Sequence, residues 1–268
     1  MSIASIRMYT SPRELADATS KLWSFLSKAL RAQGQSDVPD HLSLDIAHDE
    51  AWLRPDLLLS QTCGYPYVTS LRGRVRLVAT PIYRYPGCSG PSMRSFIITR
   101  RALGLRRLED LRGTVAAINS HDSNSGANLF RASMAPLAAG KPFFERVITT
   151  GGHRASIDAV VDGSADCAAI DCITFANIKR FDPQALERIV ILDETISGPG
   201  LPFITKGQAN DLQVERLRQA LFASIDASAL DGVRDTLGLI GFEILSDSDY
   251  EPLQALAERA HQSGFHDF

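Results

Sequence analysis

Four short stretches gather hydroxyl, amide, imidazole and carboxylate side chains: "SQTCGYP" (60–66), "HDSNSG" (121–126), "TTGGHRAS" (149–156) and "DCIT" (171–174). In the second, Ser123, Asn124, Ser125 and Gly126 stand just before a helix-like run. Such residues cap a helix, because their oxygens accept from the orphan amides of its first turn. The same amides, with the helix dipole, also attract an oxyanion. In the third, Gly151 and Gly152 permit a tight turn that puts His153 at a helix start. From there His153 can donate to an anion, and a carboxylate such as Asp171 would keep it protonated. Asp171 itself fits either a ligand ammonium or the cap of the following helix. Arg154 is nearly the only cation in these clusters, which favours recognition by neutral dipoles and N–H groups.

Catalytic and metal patterns do not emerge. His-Glu-x-x-His and Gly-x-Ser-x-Gly are absent, and "GLRRLEDLRG" is not a phosphate loop. None of the four cysteines (Cys63, Cys88, Cys167, Cys172) belongs to a Cys-x-x-Cys pair, so no metal and no cofactor is expected. Cys63 and Cys88 fall in one half of the chain and are able to meet. Cys63, at the start of a possible helix, is the one candidate reactive thiol. Cys167 and Cys172 flank "CAAID" and read as small buried hydrophobes.

The elements that must carry these clusters alternate strand and helix, which predicts parallel sheets covered by helices. Strands are expected at Ile3–Tyr9, at "LSLDI" (42–46), "DLLLSQ" (56–61) and "RVRLVATPIY" (74–83), and, in a second series, at "SFIITR", "TVAAIN", "RVITT", "CAAID" and "RIVILDE". A helix is expected from Pro12 to Arg31, others after Ser123, His153 and Asp171, and a mainly helical remainder after residue 202. Each polar cluster then follows a strand, where open parallel sheets collect ligands. Tyr9, Tyr65, Tyr83 and Tyr85 lie at strand ends of the first series, able to offer a ring and a hydroxyl or simply to pack. Gly/Pro-rich segments at 85–93 and 197–202 bracket the second series. They suggest an inserted lobe: residues 1–88 and 195–268 form lobe one, 89–194 lobe two, with a ligand cleft between them.

The chain has 268 residues, 44% of them hydrophobic, and its 28 basic against 31 acidic residues leave a net charge of −3. That balance gives no sign of a nucleic-acid partner. No apolar run approaches the length of a membrane span, and "MSIASIRMYT" lacks the basic and apolar regions of a signal peptide. The chain as written is therefore expected in the cytoplasm, or in the periplasm if a leader has been removed.

"LEDLRGTVAAINSHDSNSGANL" together with "TTGGHRASIDAVVDGSADCAAIDCITF" resembles the phosphate/phosphonate-type substrate-binding proteins of ABC transporters. The resemblance runs from about Ile3 to Thr205. It implies a two-lobed α/β fold of the type 2 periplasmic-binding-protein kind, each lobe a mainly parallel sheet flanked by helices. It implies capture of a small oxyanion, phosphonate- or phosphate-like, and an ABC transporter permease as partner. By the same resemblance Ser123, Asn124 and Ser125 match a hydroxyl-rich helix start that holds phosphonate oxygens, with Asn124 standing where the family usually has Thr. His153 matches a histidine reaching the same oxygens, and Asp171 lies near an acid that holds a ligand amine. Tyr9, Gln61, Thr62 and Tyr83 are the expected contacts from lobe one. Cytoplasmic enzymes of menaquinone and thiamine-pyrimidine biosynthesis share this fold, so an enzyme or a cytosolic sensor is the alternative reading.

Overall fold

The computed structural model of the protein describes residues 2–268, all with side chains except His48. The chain divides into two compact units. The first comprises residues up to Arg84, Ser89–Pro91 and Pro199–Asp249; the second comprises Tyr85–Cys88, Ser92–Gly198 and Tyr250–Phe268.

The first unit is built on a five-stranded sheet in the order Ile3–Ser5, Leu57–Gln61, Phe203–Lys206, Val75–Tyr83, Leu239–Glu243. Only the first pair is parallel; Phe203–Lys206 enters antiparallel between its neighbours, and Leu239–Glu243 is antiparallel to Val75–Tyr83. The long helix Arg13–Ala32 covers this sheet with Leu15, Ala18, Thr19, Leu22, Trp23, Leu26 and Leu30. Their spacing of three and four residues makes one continuous apolar stripe. It packs into a core with Leu59, Val78, Phe203, Leu221 and Phe242.

The second unit has the strand order Ile189–Glu194, Ser95–Arg100, Cys167–Asp171, Val115–Ile118, Arg146–Thr149. The last three pair in parallel, whereas Ser95–Arg100 is antiparallel to both its neighbours. The alanines of "VAAI" and "CAAI" are buried. These small side chains let helices approach the sheet closely.

Both sheets are thus mixed in their pairing, a correction to the mainly parallel sheets expected. Strands that close a strand–helix–strand unit must run parallel. Ser95–Arg100 and Phe203–Lys206 instead follow the Gly/Pro crossings, with no helix to return the chain to its starting edge.

Other expectations shift as well. "LSLDI" forms no strand, though the Ser43 amide donates to the Ala4 carbonyl at 2.8 Å. The first strand ends at Ser5, and the backbone turns through Tyr9 with φ 58°. The segment after residue 202 holds two strands that were not expected, Phe203–Lys206 and Leu239–Glu243. Residues 195–268 do not stay together: Thr195–Gly198 and Tyr250–Phe268 belong to the second unit. Ala260, Phe265 and Phe268 are buried there with Phe130, Phe143 and Phe144, and Asn128 Nδ2 donates to the Leu253 carbonyl at 2.9 Å. Tyr85 likewise belongs to the second unit, its hydroxyl 3.0 Å from Asn177 Oδ1.

Candidate functional site

Register decides what meets at one edge of the second unit's sheet. Ile118 pairs with Thr149, and Ala117 pairs with Ala168. The three parallel strands therefore end together, and the segments beginning at Asn119, Thr150 and Asp171 leave from the same carboxyl edge. The Thr150 amide donates to the Ile118 carbonyl and the Gly151 amide to the Asn119 carbonyl, both at 2.9 Å, tying two of these segments together.

Three helices start here. The first opens with a π-helical turn, Asn124–Asn128, before the α-helix Leu129–Ala138. Ser123 is its cap, with Oγ accepting from the Gly126 amide at 3.1 Å. Asn124 Oδ1 accepts from Asn128 Nδ2 at 3.3 Å. Ser125 is differently engaged: its Oγ lies 2.9 Å from His153 Nε2, and its carbonyl accepts from Ser95 Oγ.

The second helix, His153–Asp162, follows Gly151 at φ 87° and is steadied by Thr150 Oγ1, 2.7 Å from Ser156 Oγ. The third, Cys172–Phe181, is capped by Asp171, whose Oδ1 accepts from the Ile173 and Thr174 amides at 3.1 and 2.8 Å. The other carboxylate oxygen, Oδ2, stands 3.2 Å from His153 Nε2.

Ser125, His153 and Asp171 therefore form a contiguous set, and the side chains of Ser125 and Asp171 converge on one ring nitrogen. A nucleophilic triad would place its serine and its carboxylate on opposite ring nitrogens. Here the shared nitrogen is Nε2, which carries the proton because it faces a carboxylate. Ser125 Oγ lies within hydrogen-bond distance of the same nitrogen. Burial holds the His153 pKa below its ordinary value, with the Asp171 charge opposing. Burial thus opposes the protonated state that Asp171 alone would favour.

Two buried polar atoms at this cluster, His153 Nδ1 and Asn119 Oδ1, make no hydrogen bond of good geometry among the described residues, although the Ala169 backbone also acts on the imidazole. Orphaned buried polar atoms are uncommon in native structures and ask for a reason. Gly126 packs directly against this pair. A Cβ there would sit 1.9 Å from Asn119 Oδ1 and 3.2 Å from His153 Cε1. The glycine is a packing requirement. Asn119 and Ser95 were not singled out from sequence; a polar residue ending or opening an apolar strand was the only signal.

Arg154 is committed elsewhere. Its guanidinium pairs with Asp158 at 3.0 Å and with Asp182 at 2.6 Å. Among the described residues, no set of three or more His, Cys, Asp or Glu is arranged to hold a metal ion.

The first unit holds the remaining expected residues. The rings of Tyr9 and Tyr83 meet edge to face with centroids 5.8 Å apart. Gln61 and Thr62 are buried and serve the unit's own backbone. Gln61 Nε2 donates to the Leu201 carbonyl at 3.0 Å, and the Thr62 amide donates to the Pro202 carbonyl at 3.1 Å.

All four cysteines are thiols. No helix of the described residues is long and apolar enough to cross a membrane.

A family profile described as "ABC transporter, phosphonate, periplasmic substrate-binding protein" matches residues 6–250. No curated protein matches the chain. Among solved structures, it is similar to a binding-protein component of an ABC phosphonate transporter from Pseudomonas aeruginosa (16% identity, 98% of this chain and 87% of that one, TM-score 0.76). It is also similar to PhnD1 from Prochlorococcus marinus in complex with methylphosphonate (15% identity, 97% and 98% covered, TM-score 0.75). An ATP-bound protein of Xanthomonas citri shares the fold at 15% identity, with 98% of both chains covered and a TM-score of 0.71.

Proposed function

Since the chain belongs to the phosphonate-type periplasmic substrate-binding proteins of ABC transporters, we propose that it captures a small phosphonate- or phosphate-like oxyanion at Ser123–Gly126, His153 and Asp171. The observation that carries this reading is the meeting of Ser125, His153 and Asp171 at the first turns of three helices. First-turn amides lack intrahelical acceptors, and each helix dipole adds partial positive charge. With Arg154 held by two carboxylates, the anion is bound by dipoles, by the Ser125 hydroxyl and by N–H groups. His153 fixes the Ser125 rotamer so that the hydroxyl proton is offered to a ligand oxygen. Ser123 and Asn124 shape the turn, and Asp171 holds the imidazole while capping its own helix.

In the first unit Tyr9 and Tyr83 make a ring pair, with Tyr9 held in the left-handed backbone region. A non-glycine residue is rarely held there without a purpose. Gln61 and Thr62 support that unit's backbone near the same strand ends. The protein acts in the periplasm, as its family does, and delivers its ligand to a permease.

Thermal melts with methylphosphonate, phosphate, a sulfonate and a carboxylate test the proposal. A ligand at a hundredfold excess over Kd stabilises the folded state by about 2.7 kcal/mol. The phosphonate or phosphate should raise the melting temperature clearly, and calorimetry should give a one-to-one complex. A panel without any riser would overturn the reading.

A further inference from the structure

The cysteines left out of the binding reading form a pair of their own. Cys88 Sγ lies 3.4 Å from Cys172 Sγ, within the second unit. Cys172 is fully buried at the first position of the helix that Asp171 caps, whereas Cys88 is half-buried. The segment Tyr85–Cys88 is already fastened to that helix. Tyr85 donates to Asn177, and Gly87, at φ 91°, passes so close that a Cβ would stand 2.6 Å from Cys172 Cβ. Arg94 joins the two from the side: its amide donates to the Gly87 carbonyl and its carbonyl accepts from the Cys172 amide. Two thiols are thus held in register by five surrounding residues, one reachable and one enclosed.

We propose that Cys88 and Cys172 form a thiol–disulfide exchange site that takes a low-molecular-weight disulfide such as oxidised glutathione and closes to an intramolecular disulfide. The Cys88 thiolate attacks one glutathione sulfur, forming a mixed disulfide and expelling the first glutathione thiolate. Cys172 then loses its proton to solvent and attacks the Cys88 sulfur, expelling the second. Two thiols are oxidised, one glutathione disulfide is reduced, and both protons end on solvent or on the leaving thiolates. The order follows from access and from acidity. Sharing its hydrogen bond with Cys172 lowers the Cys88 pKa, whereas the same contact and burial raise that of Cys172. A thiolate is the attacking species in such exchange. The sulfurs need move only about 1.4 Å closer to reach a disulfide bond of roughly 2.05 Å. Periplasmic proteins meet oxidising conditions in which such a bond persists.

The test is to treat the full native chain with oxidised glutathione, block remaining thiols by alkylation, and map the digested peptides by mass spectrometry. The expected result is a Cys88–Cys172 cross-linked peptide that disappears on reduction, and a protein lighter by two hydrogens. The Cys172→Ser variant should instead retain one glutathione on Cys88, and Cys88→Ser should leave Cys172 unmodified. Glutathione on Cys63 with Cys88 and Cys172 both alkylated in wild type would overturn the proposal. So would a cross-link joining Cys88 to any cysteine other than Cys172. The wild-type map decides the matter even if a variant folds poorly.

Discussion

Ser125 Oγ and His153 Nε2 stand 2.9 Å apart, so the first turns of two helices are joined side chain to side chain. Ser123, two residues earlier, spends its oxygen on the Gly126 amide. The two serines are chemically alike and differently employed, and substitution separates their roles. Ser123→Ala removes a cap and should cost about 1 kcal/mol of stability with little change in ligand affinity. Ser125→Ala removes a donor to a charged ligand and should weaken binding by about 1.5–3 kcal/mol, roughly ten- to a hundredfold in Kd. Calorimetry beside melting curves reads both. Equal affinity losses in the two variants would assign the ligand to neither serine in particular.

The buried imidazole gives stability a definite pH dependence. Because burial lowers the folded-state pKa of His153, the unfolded chain binds more protons than the folded one just below the ordinary histidine value of about 6.5. Stability is therefore unaffected by this group above that value. It falls as pH drops through it, until the folded-state pKa is passed. The melting temperature of His153→Gln should decline less over that range than that of wild type. Asp171→Asn keeps a capping oxygen for the Ile173 and Thr174 amides but removes the charge opposing the shift. Its pH-dependent decline should be steeper than wild type, whereas Asp171→Ala should also lose about 1 kcal/mol at neutral pH.

Much of this site was legible because polar residues at strand ends have few reasons to cluster. "VAAIN", "RVITT" and "CAAID" read as strands, and their parallel pairing brings Asn119, Thr150 and Asp171 to one edge. The roles within the cluster were not legible. Whether Asp171 caps, binds an amine or charges His153 depends on burial, and burial belongs to the folded state. Phe203–Lys206 is four residues long, too short to show a period, and Leu239–Glu243 follows a helix with only its Gly238 cap between them. The nearness of Cys88 and Cys172 depends on a contact across 84 positions. Membership of the last helix in the second unit rests on Phe265 and Phe268 meeting Phe130 and Phe144. Apolar residues there announced burial without naming the core.

Gly126 offers a test of how tightly the cluster is packed. The Cβ of Gly126→Ala would fall 1.9 Å from Asn119 Oδ1. Asn119, or the turn itself, must shift, at a cost of about 1–3 kcal/mol. His153 is the next residue met, its Cε1 at 3.2 Å, so ligand affinity should fall with stability. Removing the obstructing side chain with Asn119→Ala in the same molecule should recover part of both. Residues in contact are expected to couple in this way. Strictly additive losses in the double variant would mean that Asn119 is not what excludes a side chain at 126.

Recognition by dipoles makes its sharpest claim at the one cation in the cluster. Arg154 neighbours His153 in sequence, and a salt bridge to an oxyanion is the obvious role for it. Its guanidinium instead pairs with Asp158 one helical turn on and with Asp182 after the next helix, both partly exposed. Exposed pairs of this kind contribute about 0–1 kcal/mol to stability, since solvent and salt screen them. Arg154→Ala should therefore change the melting temperature little and leave the Kd for methylphosphonate within about threefold, under 1 kcal/mol. A direct guanidinium–oxyanion contact would give a different result: a loss of about 1.5–3 kcal/mol that shrinks as salt is raised. Calorimetric titration of wild type and Arg154→Ala at low and high ionic strength distinguishes the two. A large, salt-sensitive loss would move the anion from the helix amides to Arg154.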